Sequence, residues 1–387
     1  MKNNKGSRRN RNKKSAAHNN PQLVVDRFTK LPDDLLLNIL DRLNTPDAVR
    51  TCLLSKRTIH LRHLLSNLDI SVDSFVPHYY GYYATSKDAI QIQMNAAVSD
   101  ATDNILNFRN QEIPLRQLTI CFYLKYYDCL TIGKTVARAM ATHNLDSAEF
   151  IILTGKRAQH CSIDDLRHNG KQLMTFFGAC TDAFAGLTRL HLRNLRLAEA
   201  DIPNIIATCK RLEYLRLSMC QTEDSVLQMK FEHPRLVELN ISSAGLELVE
   251  LSSLPNLKRL VFSLWNCPQE PLSFGNVPLL SSLSLTDESM RWQKVIRHYN
   301  LTKLTIYGFQ PNDNFLGYIR HIMEAAVNLE DVSLYDRKVL ECCEDLDPKI
   351  KVAPSGYPET IQEQELRRKQ ITEGLVMVSP HVIHFRS

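Results

Sequence analysis

The 387-residue chain contains no apolar run of eighteen or more residues, which excludes a transmembrane helix of ordinary length. Its first residues lack the apolar stretch of a secretory signal. None of the ten cysteines forms a C-x-x-C pair. Scattered thiols argue against zinc-ribbon or dithiol chemistry and fit reduced cysteines in the nucleus or cytoplasm. Acidic residues are missing before Asp26, whereas residues 1–14 hold seven Lys and Arg. Those seven exceed the net charge of +5, so the remainder of the chain is slightly acidic. Residues 1–24 are expected to be a disordered basic leader, with a nuclear address or a weak nucleic-acid contact as the alternatives. Nucleic acid is not the expected partner of the folded part, and neither is a membrane.

Catalytic patterns are missing too. Gly133-Lys134-Thr135 has the end of a phosphate loop, but the position that needs the first glycine is Asp128. Neither G-x-S-x-G nor H-E-x-x-H occurs. Cys342 and Cys343 lie far from His381 and His384, unlike the usual zinc spacings. No nucleophile, base and oxyanion donor can be assembled, so the expectation is a non-enzyme without metal or cofactor.

What the chain has is leucine in two arrangements. The first lies between Phe28 and Ile70. Pro32 followed by Asp33 and Asp34 reads as a helix start, with carboxylates at the positive end of the dipole. Leu35, Leu36, Ile39, Leu40 and Leu43 then recur at helical spacing, but Leu35, Leu36 and Leu37 are consecutive and cover more than one face. A second start falls at Asn44-Thr45-Pro46-Asp47, with Thr45 as the expected N-cap. Ala48, Val49, Cys52 and Leu53 form its apolar stripe, and a third short helix is expected from Ser55. A helix apolar on two sides needs two partners, one of them outside its own fold.

This segment resembles an F-box of the plant form. The resemblance rests on Leu31-Pro32-Asp33-Asp34-Leu35-Leu36, Leu54-Ser55-Lys56-Arg57 and Asn67-Leu68-Asp69. Where that pattern has a tryptophan after Ser-Lys-Arg this chain has Thr58, and Arg62 stands at the second aromatic position. The resemblance implies that the segment docks a Skp-type adaptor, and through it a cullin. Leu31, Pro32, Leu35, Leu36, Ile39, Leu40, Leu43, Ala48, Val49, Cys52, Leu53 and Leu54 would share that docking with internal packing.

The second arrangement is L-x-x-L-x-L. It recurs as Leu115-Leu118-Ile120, Leu187-Leu190-Leu192, Leu212-Leu215-Leu217, Leu236-Leu239-Ile241, Leu257-Leu260-Phe262, Leu280-Leu283-Leu285, Leu301-Leu304-Ile306 and Leu329-Val332-Leu334. Weaker copies sit at Ser147-Phe150-Ile152 and Leu65-Leu68-Ile70. From Leu190 to Val332 the steps are 25, 24, 21, 23, 21 and 28 residues, the period of a leucine-rich repeat. A doubly wound βαβ sheet would need longer and more regular helices. Ile132, Val136, Ala139 and Met140, and later Ile202, Ile205 and Ile206, mark helical returns. The later returns carry Pro, Ser and Asn and are expected to be irregular. The expected fold is an α/β leucine-rich-repeat solenoid preceded by a small three-helix F-box.

Boundaries follow: leader 1–24, F-box 25–71, linker and connecting helix 72–114, repeats 115–340, capping tail 341–387. Ile90, Met94, Ala97, Val98, Ala101, Ile105 and Leu106 place the connecting helix on one stripe. The tail resembles the tails of grass F-box proteins with leucine-rich repeats. In it Glu363 to Gly374 should be a helix, and Val376, Val378, Val382 and Ile383 a closing apolar cover.

The family implies a substrate receptor of a cullin-based ubiquitin ligase whose repeats bind a protein. The alternative is a repeat scaffold or basic-tailed nuclear binder acting without the ligase; the expected compartment is the nucleus or cytoplasm. The variable strand positions point away from the core. They bring together Arg189, His191, Arg193, Tyr214 and Arg216, followed by Glu238, Asn240, Arg259, Lys303, Thr305 and Tyr307. The first five are expected to hold an acidic or phosphorylated segment.

Overall fold

A computed structural model describes residues 30–76, 87–109, 112–143, 145–223, 226–243, 248–264, 272–286, 300–336, 356–375 and 380–386. The leader, most of the stretch after Val76, the Cys342-Cys343 pair, Val376 and Val378 lie outside them.

The F-box segment holds two α-helices, α1 (Asp33–Leu40) and α2 (Thr45–Leu53), followed by a 3-10 helix over Ile59–His63. Pro32 occupies the N-cap position of α1, with Asp33 and Asp34 in the first turn. The cap of α2 is Asn44, not Thr45: the Asn44 side chain accepts from the Asp47 N–H at 2.9 Å. The Thr45 hydroxyl instead accepts from the Asp69 N–H at 2.6 Å, so it ties the helices to the strand that follows. Asp41 does the same one turn earlier, accepting from the Ser66 N–H at 2.9 Å and the Ser66 hydroxyl at 2.6 Å.

That strand is β1 (Asn67–Ser71). A 3-10 turn over Val72–Phe75 leaves it, and α3 (Lys87–Asn107), β2 (Leu115–Tyr123), α4 (Tyr126–Thr142) and β3 (Leu145–Leu153) come next. They are followed by α5 (Ile163–Ala179), α6 (Thr181–Gly186), β4 (Arg189–Arg193), β5 (Arg196–Leu197), α7 (Asp201–Thr208), β6 (Tyr214–Ser218) and β7 (Gln221–Thr222). Then strands alternate between layers: β8 (Val226–Glu232), β9 (Glu238–Ser243), β10 (Leu248–Ser253), β11 (Arg259–Leu264), β12 (Leu272–Asn276) and β13 (Ser282–Thr286). The last elements are β14 (Lys303–Tyr307), α8 (Asp313–Ala325), β15 (Asp331–Tyr335), α9 (Ile361–Thr372) and β16 (Ile383–Arg386).

Among the described residues eleven strands make one parallel sheet in the order β1-β2-β3-β4-β6-β9-β11-β13-β14-β15-β16. The leucine pattern sets its register. Leu68, Leu118, Ala148, Leu190, Leu215, Leu239, Leu260, Leu283, Leu304 and Val332 are buried beneath successive strands, and so are Ile70, Ile120, Phe150, Leu192, Leu217, Ile241, Phe262, Leu285, Ile306 and Leu334. The weak copy at Leu65-Leu68-Ile70 is therefore the first strand of the sheet, paired residue for residue with β2.

The returns differ along the sheet. α3 to α7 cover its first part. Between β6 and β13 the returns are not irregular, as expected from their Pro, Ser and Asn, but form a second parallel sheet, β12-β10-β8, and the return between β14 and β15 is the helix α8. The connecting helix α3 does pack on the early strands, but its buried stripe is partly polar. Gln91 donates to the Gly155 carbonyl at 2.8 Å, and Asn95 both donates to Asp128 at 3.1 Å and accepts from the Tyr123 N–H at 2.8 Å. Gly133-Lys134-Thr135 lies inside α4, so it forms no phosphate loop. No helix of the described residues is long and apolar enough to cross a membrane.

The tail does not simply lie over the last layer. Its helix starts with a capping box between Thr360 and Glu363, and Gly374 follows it with φ at 81°. β16 then pairs with β15, Ile383 beside Val332, and becomes the edge of the main sheet. Arg368 of α9 donates to the Ile383 carbonyl at 3.0 Å and lies over the Phe385 ring at 5.3 Å, which covers that edge.

Candidate functional site

Two surfaces stand out. The first is on the F-box helices. Leu36, Leu40, Ala48 and Cys52 are fully buried within this chain, so these four candidates are internal packing and not docking residues. Leu31 and Val49 pack partly against the same core. Leu35, Ile39, Leu43, Leu53 and Leu54 face solvent, with Leu54 at 85% exposure, and Ile59 joins them. Pro32 is exposed at the end of the strip. Leu35, Ile39 and Leu43 are spaced four residues apart, one row along α1 and its exit. Consecutive residues on a helix are about 100° apart, which is why Leu35 points out while Leu36 points in.

The strip is held by polar contacts at its border. Arg57 donates to the Leu31 carbonyl at 2.8 Å and to Asp33 at 3.1 Å, and His60 lies 3.4 Å from the same carboxylate. Thr58, which replaces the usual tryptophan, is buried; its hydroxyl donates toward the Cys52 carbonyl at 3.0 Å and lies 3.2 Å from that of Ser55. A hydrogen bond to the end of α2 thus stands where an aromatic ring would fill space. Arg62 donates to the His63 ring at 2.9 Å. His63 is pushed down by burial and by the Arg62 and Arg109 charges. Arg109, itself buried, reaches the Pro114 carbonyl at 3.1 Å.

The second surface is the outer face of the main sheet, where the register gives three rows. One runs Asp69, Thr119, Glu149, Arg189, Tyr214, Glu238, Arg259, Ser282, Lys303, Asp331. Its charges are matched between neighbours: Arg189 with Glu149 at 3.4 Å, Arg259 with Glu238 at 3.6 Å, and Lys303 with Asp331 at 3.5 Å. Arg189 also lies over the Tyr214 ring at 4.1 Å. The five expected residues are brought together on β4 and β6, but Arg189 is engaged in the row, which weakens it as an anion anchor. Asp69 is raised above the usual carboxylate range by burial and by the nearby Glu149 and Asp73 charges.

His191 and Arg216 lie in the second row and Arg193 in the third. The Ser218 hydroxyl, fully buried, is 3.1 Å from the His191 ring and accepts from the Arg216 guanidinium at 3.2 Å. Arg193 is paired with Ser218 in the ladder. Asn240 and Thr305 continue the second row, and Tyr307 in the third stacks on Tyr335 with ring centroids 4.9 Å apart. Sequence reasoning missed Ser218 and Tyr335, although the strand spacing placed both on this face.

Comparison with known proteins gives the class. A family model described as "F-box domain" matches residues 28–69, and one described as "FBD-associated F-box protein At5g56370, LRR repeats" matches residues 159–305. F-box protein At1g80960 of Arabidopsis thaliana is 25% identical over 246 residues, 59% of this chain and 48% of that protein. F-box/FBD/LRR-repeat protein At3g52680 of the same plant is 24% identical over 328 residues, 80% of this chain and 61% of that protein. A shorter match, 49% identical over 49 residues, links 13% of the chain to 11% of the putative FBD-associated F-box protein At5g56820. The two longer matches thus span about half to three fifths of those relatives. An F-box followed by a leucine-rich-repeat region defines the class. The chain carries both regions and is similar to plant F-box proteins with leucine-rich repeats.

Proposed function

We propose that this protein is the substrate receptor of a cullin-based ubiquitin ligase. Its F-box docks a Skp-type adaptor through the exposed strip of Pro32, Leu35, Ile39, Leu43, Leu53 and Leu54. The three short helical segments act as one docking unit, and the repeats form a solenoid whose outer sheet face holds the protein to be modified. The observation that carries the reading is the strip: large aliphatic side chains left in water on helices whose other faces are fully packed. The chain makes no bond itself; holding a lysine near a conjugating enzyme raises its effective concentration. Burial pushes the Cys121, Cys129 and Cys209 thiols up to about 12, so these three are structural and not nucleophiles. Residence in the nucleus or cytoplasm belongs to the same proposal.

Thr58 bears on the alternative, a scaffold that never meets the adaptor. Its hydroxyl closes the end of α2, so the docking helices keep their packing without the aromatic. Co-purification of the full chain with a Skp-type adaptor decides between the two readings. The wild type should retain the adaptor, and Ile39→Glu with Leu54→Glu should lose it, each anchor being worth about 1–3 kcal/mol. Failure of the wild type to bind would favour the scaffold, and retention by the double variant would move the docking surface elsewhere.

A further inference from the structure

Charge is not spread evenly over the outer sheet face. Every Asp and Glu that the described strands place there lies in the first row, alternating with Arg189, Arg259 and Lys303. The second row reads Ser71, Cys121, Ile151, His191, Arg216, Asn240, Val261, Ser284, Thr305, Ser333, His384. The third, from β4 onward, reads Arg193, Ser218, Ser242, Ser263, Thr286, Tyr307, Tyr335, Arg386. These two rows contain no acid. Their basic side chains fall at two places, His191, Arg193 and Arg216 on β4 and β6, and His384 and Arg386 on β16. Between them the floor carries no charge: Asn240, Ser242, Val261, Ser263, Ser284 and Thr286 come first, and the stacked Tyr307 and Tyr335 stand before β16.

The second place has more positive charge behind it. A cavity of about 520 Å³ opens between α9 and β16, lined by Arg368, Lys369, His381 and His384, with Glu365 at its side. His384 belongs to both the cavity and the second row, and lies 4.0 Å from Asp331 in the first. From β6 to β16 there are six strand-to-strand steps. At about 4.8 Å each that is roughly 29 Å, the length of about nine residues of extended chain.

We propose, resting on the reading of this face as the substrate surface, that its ligand is an extended polypeptide segment with two anionic clusters about nine residues apart. One cluster sits at His191, Arg193 and Arg216, the other at His384 and Arg386, and uncharged residues cross the floor. Carboxylates or phosphates serve at either end, since arginine binds both through paired N–H groups. A nucleic acid fits worse. It carries a charge about every 3.4 Å along each strand. Those charges would lie over the uncharged floor and beside Glu238 and Asp331.

Fluorescence anisotropy with the full chain tests this, using labelled synthetic peptides of about 15 residues at about 150 mM salt. One peptide has two Glu-phosphoserine clusters at the nine-residue spacing; others have a three-residue spacing, a single cluster, or no acid. Oligo-dT serves as the nucleic-acid probe. The widely spaced peptide should bind at least about tenfold tighter than the single-cluster peptide, a fold-gain expected of two linked contacts. Arg193→Gln with Arg216→Gln, and separately His384→Gln with Arg386→Gln, should each reduce it to the single-cluster level. No binding of that peptide, affinity independent of spacing, indifference to both double variants, or equal affinity for oligo-dT overturns the proposal. Val261→Trp, which fills the floor, separates the two levels: binding lost there but blind to spacing leaves the face as the ligand site and removes only its two-cluster chemistry. Binding unaffected by Val261→Trp removes the face itself. Each variant is first shown to unfold at the wild-type temperature, and Arg216→Lys, which keeps the charge, should restore most of the affinity.

Discussion

The first and second parts of the sheet solve the same geometric problem differently. Between β1 and β6 the chain returns through helices, and between β6 and β13 through the strands β8, β10 and β12. Unit length accounts for the longest helices but not for all of the difference, since the 25-residue step from Leu190 to Leu215 returns through α7 and the 24-residue step to Leu239 through β8. Leu118, Ala148 and Leu190 occupy one row on successive strands, and the gaps between them leave room for seventeen-residue helices such as α4 and α5. The later steps of 24, 21 and 23 residues leave five to seven for the return once strand and turns are taken. About six residues span roughly 9 Å as a helix but 20 Å as a strand, and only the second reaches back along a five-residue neighbour. The interiors differ in step. Under the helices Phe122, Phe150, Phe176, Phe177 and Phe184 meet ring to ring, at 5.3 Å for the first two. Under the strand returns the core is mainly leucine, with Leu239, Leu251, Leu260 and Leu283 all fully buried.

The largest way to break this comparison is Phe176→Ala. It removes the ring that touches Phe122, Phe150 and Phe184, and should cost about 3–5 kcal/mol in urea unfolding. A loss under about 1 kcal/mol would mean the aromatic cluster is not what supports the helical half. Next comes Gly170, where α5 presses on β5. A methyl there would meet the Arg196 carbonyl oxygen at 2.0 Å, so Gly170→Ala should cost about 1–3 kcal/mol. Gly178, on the same helix with nothing within 4 Å of an added methyl, is the control. Gly178→Ala should gain about 0.5–1 kcal/mol, and equal effects at the two sites would refute the close approach.

The smallest effect sharpens the join between the halves. His233 is buried there, its Nε2 3.1 Å from the Cys209 carbonyl and its Nδ1 accepting from the Leu236 N–H at 3.0 Å. Burial lowers its pKa, so the unfolded chain takes up a proton first as pH falls below the ordinary histidine value. Stability should therefore be full at neutral pH and decline from about pH 6.5 downward. His233→Gln should flatten that decline in thermal melts at about pH 7.5 and 5.5. An unchanged slope would assign it to other groups, such as His63.

The strands and their register were legible because burial of one face demands a period that leucine alone reports. Even the weak copy at Leu65 fits it. The returns were not, because units of nearly equal length return through a helix at α7 and a strand at β8, and apolar spacing does not choose between them. α5 and α8 did leave local marks, the Ser162–Asp165 capping box and the Asn312 cap, that apolar periodicity does not weigh. On the F-box, composition identified the two-sided helix but could not choose the outward side, since Leu35 and Leu36 differ only in what packs beneath them. The arginines lie on the adjacent strands β4 and β6, where their spacing puts them. Their partial neutralisation was hidden because Glu149 lies forty residues before Arg189 in sequence and one strand away in space.

The bond from Arg368 to the Ile383 carbonyl has a further consequence. A sheet that grows by one strand per unit carries no internal instruction to stop, because every strand offers the next the same row of donors and acceptors. By occupying one of those acceptors and lying over Phe385, Arg368 makes the count of units a property of the two ends. Loss of this one side chain would uncover that acceptor and leave the border more open to pairing with another strand.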